Sequence, residues 1–98
     1  MKISEMNAHQ KLIFRLMDDY TTDMIAGNEN VLLDYPEDSE EYKTAKTYLS
    51  MGHEALKQDV YDAVMAQCRK GTNAEHARFA GKDFLLERIE KRLTKWGY

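Results

Sequence analysis

The sequence predicts an all-α protein: a small antiparallel helical bundle of three to four helices with one long central helix (about residues 39–69). Three observations carry that reading. Apolar residues recur at three- and four-residue steps through most of the chain, the spacing of one face of a helix. Proline occurs once and glycine five times in 98 residues, too little turn-forming material for a many-stranded sheet. Strict apolar and polar alternation, the mark of a half-buried strand, is absent over any useful length. With 43% apolar residues the chain is too apolar for disorder, and its length suits one modest core, so residues 1–98 are expected to form a single helical domain.

The first helix opens on Asn7 and Gln10, the spacing of a capping box in which each side chain bonds the other's backbone N–H. Its apolar stripe is Leu12, Ile13, Leu16, Met17, Tyr20, Met24 and Ile25. Gly27 stands where a left-handed C-cap is expected, which bounds this helix at roughly 8–26. Residues 28–37 then read as a connection. Within it Val31, Leu32 and Leu33 are expected to fold over the bundle end as a plug, the alternative being an exposed docking patch. Pro36 keeps Tyr35 extended.

Asp38 and Glu41 repeat the capping-box spacing and start the central segment. Its stripe runs Tyr42, Ala45, Tyr48, Leu49, Gly52, Leu56, Val60, Val64 and Cys68. The apolar phase passes Gly52 without a slip, which predicts one helix with Leu49, Gly52 and Leu56 as a helix–helix contact. At 1.5 Å per residue such a helix spans roughly 46 Å, more than the first helix covers, so a second copy is expected to complete a homodimer. Gly71 closes the segment, and Thr72 with Glu75 opens the next. There Phe79, Leu86, Ile89, Leu93 and Trp96 form a stripe widened by Phe84 and Leu85. Gly81 is a possible split, leaving a short helix over 73–80 and another over 84–95 capped by Asp83.

Composition narrows the function. Cys68 is the single cysteine, so an internal disulfide framework is excluded. The first residues lack the apolar stretch of a signal peptide, and no run reaches the roughly 20 residues of a membrane span. A cytoplasmic protein is expected, of a size and compactness that suit a bacterium or phage. Charge is uneven: residues 1–63 carry −7 and residues 64–98 carry +4. The acidic cluster Asp18, Asp19 and Asp23 is a candidate partner-binding face. Arg88, Lys91, Arg92 and Lys95 form a candidate basic face. Antiparallel packing would instead set the two charge types side by side.

No catalytic, metal or cofactor site is expected. His53-Glu54 begins like a zinc-protease motif, but Lys57 stands where that motif needs its second histidine. Ala77 and Gly81 mimic helix-turn-helix spacing, yet Lys82, Glu87 and Glu90 fall where that motif needs apolar residues, which argues against nucleic-acid binding. Glu37-x-x-Glu40 and Asp59-x-x-Asp62 place two acidic pairs at helical spacing. This pattern resembles a degenerate form of the ExxE…ExxD signature of all-α nucleoside-triphosphate pyrophosphohydrolases of the MazG and dUTPase type. The resemblance implies Mg²⁺ held between two antiparallel helices. It departs at Asp59, where glutamate is expected, and at Glu37, which precedes the helix cap. The leading expectation is a non-catalytic protein that works through protein–protein interaction as an adaptor, inhibitor or assembly factor. The pyrophosphohydrolase is its first rival, and nucleic-acid binding through the basic C-terminal helix its second.

Overall fold

The computed structural model describes residues 2–98 and is all-helical among them. A short 3-10 turn, Ile3–Glu5, leads into five helices: α1 (Ala8–Asp34), α2 (Glu40–Leu49), α3 (His53–Gln67), α4 (Thr72–Ala80) and α5 (Lys82–Lys95). The longest is α1, with 27 residues. It packs against each of the other four, while α3 and α4 also pack on α5. The molecule measures 47 × 27 × 19 Å, and α1, about 40 Å long, runs along most of the greatest dimension.

The capping box at the start of α1 forms as the sequence predicts. Gln10 N–H donates to Asn7 Oδ1 at 2.8 Å, and Asn7 N–H donates to Gln10 Oε1 at 2.9 Å. The Gln10 amide nitrogen then donates to the Ala80 carbonyl at 3.0 Å, so one side chain both caps α1 and ties it to the end of α4.

The two glycines exchange their predicted roles. Gly27 does not end α1 but lies inside it, and the helix continues seven residues further, to Asp34. Val31 and Leu32 are therefore not a loop plug. They are half-buried on the last turns of α1, which gain from packing on α2. The central helix over 39–69 is two helices. Gly52 has φ +98°, a conformation that costs a residue with a side chain about 1–2 kcal/mol, and it separates α2 from α3. A Cβ on Gly52 would meet nothing within 4 Å, so Gly52 makes no close helix contact. Leu56 is fully buried and Leu49 packs on the core at its edge.

The apolar phase survives the break because α2 and α3 both turn a face toward the same core. Ala45 is buried on α2, and Leu56, Val60 and Val64 on α3. The three α3 residues meet Ile13, Met17 and Ile25 of α1 and Phe84, Leu85, Ile89 and Leu93 of α5, while α2 reaches this cluster through Tyr48 and Leu49 rather than Ala45. Gly81, at φ +91°, makes the split between α4 and α5 that the sequence left open, and Gly81 rather than Asp83 precedes α5, with Asp83 inside its first turn. Caps shift by a residue elsewhere: Ser39 rather than Asp38 caps α2, and Thr72 lies inside α4 with Gly71 before it. Leu12, Phe79 and Trp96, predicted to lie on buried stripes, are exposed at 65%, 48% and 45%.

Candidate functional site

An open apolar groove lies where α1 doubles back into α2. Pro36 sets the turn: Tyr35 is extended at φ −111° and ψ 148°, as predicted. Ser39 N–H then bonds the Pro36 carbonyl at 3.0 Å, and the Ser39 hydroxyl accepts from Tyr42 N–H at 3.2 Å to start α2. Ala45 is the only buried residue of α2, and its small side chain leaves space between the helices. The result is a groove of about 380 Å³ with Val31, Tyr35 and Ala45 as its apolar surface and Glu40 and Glu41 at its acidic edge. Leu33, two residues from Val31 and so on the opposite side of α1, is 82% exposed, the most exposed large apolar side chain among the described residues. Residues 28–45 carry six acidic side chains against Lys43 alone. An apolar groove with an acidic rim suits an amphipathic basic segment.

The predicted charged faces meet each other in part. Asp18 is only 5% exposed. Its Oδ1 accepts from Arg88 Nε at 3.2 Å, and its Oδ2 accepts from Arg88 Nη2 at 2.6 Å. Arg92 Nη2 approaches the same Oδ2 at 3.4 Å, and the Arg88 guanidinium lies 5.2 Å from the Phe14 ring centre. This two-pronged pairing across α1 and α5 joins residues 70 apart in sequence. Asp19 and Asp23 remain exposed, as do Lys91 and Lys95, with Lys91 paired to Glu87 at 3.4 Å. The basic face thus turns two of its four cations inward, which weakens it as a phosphate-binding stripe.

The acidic pairs of the pyrophosphohydrolase pattern are dispersed. Glu37 lies in the turn before α2, Glu40 begins α2, and Asp59 and Asp62 lie within α3. Among the described residues, the one group of three or more metal-ligating side chains whose ligand atoms all lie within 4.8 Å is a different one, His53, Glu54 and Glu90. Asp59 instead neighbours Tyr48. The Tyr48 hydroxyl is shielded from solvent beside the Asp59 carboxylate, without a well-formed hydrogen bond. Burial raises its pKa well above the ordinary 10.0, and the Asp59 charge raises it further. Burial likewise raises the Cys68 thiol, which suits a core residue rather than a nucleophile.

A smaller aromatic cluster stands near the start of α1. The His9 ring stacks on Phe79 at 4.9 Å, and His9 Nδ1 faces His76 Nδ1 at 3.0 Å, so one ring donates and the other accepts. Arg78 covers Phe79 at 4.8 Å. The sequence singled out neither this cluster nor the groove as a site, though Val31, Leu32 and Leu33 in a polar stretch marked the groove's neighbourhood.

No protein-family model, curated protein or solved structure matches this chain. No helix among the described residues is long and apolar enough to cross a membrane. The functional reading therefore rests on the geometry.

Proposed function

We propose that this protein is a non-catalytic binding protein that takes a basic amphipathic helix of a partner protein into the groove between α1 and α2. One observation carries the reading: an apolar cleft formed by Val31, Tyr35 and Ala45 and edged by Glu40 and Glu41. An amphipathic helix in such a groove gains from burial of its apolar face, while opposite charges on the rim favour encounter and set the partner's sign. The Asp19 and Asp23 carboxylates extend the same charge along α1.

Two designed helical peptides of equal length test this by calorimetry, one of leucine and lysine, the other of leucine and glutamate. The lysine peptide should bind and the glutamate peptide should not. Val31→Asp together with Glu40→Lys should weaken the lysine peptide at least about tenfold, equivalent to 1.4 kcal/mol. Equal binding of both peptides, or an unaffected double variant, would reject the groove. The expectation of a homodimer rests on a long central helix that needs cover, and the break at Gly52 removes that reason. Light scattering separates the occupants. A mass near 11.4 kDa leaves the groove to another protein, and twice that mass assigns it to a second copy.

A further inference from the structure

His53 is the first residue of α3, and α5 approaches it with both Glu90 and the chain segment after Lys95. That segment closes α5 by a Schellman motif. Gly97, at φ +85°, lets its own N–H reach the Thr94 carbonyl at 3.1 Å and lets Tyr98 N–H reach the Leu93 carbonyl at 2.8 Å. The closure sets the main-chain oxygen of Tyr98 3.2 Å from His53 Nδ1. On the other side of the ring, Nε2 lies 3.2 Å from Glu90 Oε1.

Both neighbours are acceptors, while a neutral imidazole carries one N–H. If Nδ1–H serves Tyr98 in the neutral ring, the Nε2 lone pair faces a carboxylate oxygen, so that contact needs either a proton on Nε2 or a metal ion in its place. Glu54, adjacent in sequence, brings a second carboxylate, and the three ligand atoms lie within 4.8 Å of one another. The Tyr98 oxygen plays the part of the outer partner that fixes the tautomer of a metal-bound histidine. The cluster already draws positive charge: Lys57 Nζ lies 3.0 Å from Glu54 and 3.7 Å from Glu90.

We propose that His53, Glu54 and Glu90 form a binding site for a divalent transition-metal ion of the zinc type, held in competition with the Lys57 ammonium. One imidazole nitrogen and two carboxylates are a donor set that zinc accepts, with a remaining position for water. Lys57 and the partial positive charge at the start of α3 oppose the ion, so this site is weaker than its ligands alone would make it. The sequence motif looked broken because position 57 is lysine. Glu90, 37 residues from His53, supplies the ligand that local spacing lacks.

Calorimetric titration of the untagged protein with zinc chloride at neutral pH tests the site, with folding of each variant checked by circular dichroism. The wild type should bind one zinc ion saturably. Glu90→Gln, at an exposed position, should weaken binding at least about tenfold. Lys57→Met should tighten it several-fold, and His9→Gln, which disables the other imidazole pair, should leave it unchanged. Absence of saturable binding, a Glu90→Gln protein that binds as the wild type does, or a loss in His9→Gln would overturn the site. A Lys57→Met protein no tighter than wild type would overturn the competition.

Discussion

At the residue scale, Asp18 concentrates the most energy in one contact. It is buried, and its carboxylate is served by two guanidiniums. Removing one partner of a buried pair leaves a charge uncompensated, at a cost of about 3–5 kcal/mol. Arg92 partly compensates, so Arg88→Ala should lower unfolding stability in urea by about 3 kcal/mol. Asp18→Asn combined with Arg88→Met should cost less than the two single changes summed, because the double variant strands no charge. Tyr48 offers the opposite case. Its hydroxyl is buried beside Asp59 without a well-formed hydrogen bond, so Tyr48→Phe should cost less than about 1 kcal/mol. Its raised pKa also gives a pH signature. Below the ordinary value of 10.0 the hydroxyl is protonated in both folded and unfolded chains and stability is unaffected. Above it the unfolded chain ionises first, so stability falls as pH rises. Denaturation at increasing alkaline pH should show a shallower loss in Tyr48→Phe than in the wild type.

At the element scale, Gly27 and Gly52 carry the clearest test of the fold. Gly27 lies inside α1, and a Cβ there meets nothing within 4 Å. Gly27→Ala should therefore stabilise the protein by about 0.5–1 kcal/mol. Gly52→Ala, at φ +98°, should destabilise it by about 1–2 kcal/mol. One continuous helix through Gly52 would reverse the sign of the second change, and thermal unfolding of the two variants decides between them. The pair also marks what the sequence made legible. The Asn7–Gln10 box, the Gly81 split and the helical class could be read, because each depends on neighbours in the chain. The break at Gly52 could not be read from apolar phase. Phase reports only which face is buried, and α2 and α3 bury theirs in one core. Gly27 misled for the converse reason: an isolated interior glycine costs little when Val31 and Leu32 have α2 to pack against. Contacts at long separation, Asp18 with Arg88 and His53 with Glu90, left no local trace.

At the scale of the whole molecule, the charge asymmetry is partly consumed within the fold. Asp18 takes Arg88 and Arg92, and Glu90 takes Lys57, so opposite charges do lie side by side. The acidic surplus that remains outside these contacts is concentrated over residues 28–45, where the α1–α2 groove is open. α1 packs on all four other helices, and α2 packs extensively only on α1, across the groove that Asn28, Val31 and Tyr35 line. Two helices rarely complete a core, and a third from a partner would finish the packing there. The most direct test is a titration of the ¹⁵N-labelled protein with the leucine–lysine peptide, followed by amide chemical shifts. The proposed binding mode requires saturable shifts confined to residues 28–45 and their contacts on α1. Shifts centred on α4 and α5, or none at saturating peptide, would contradict it.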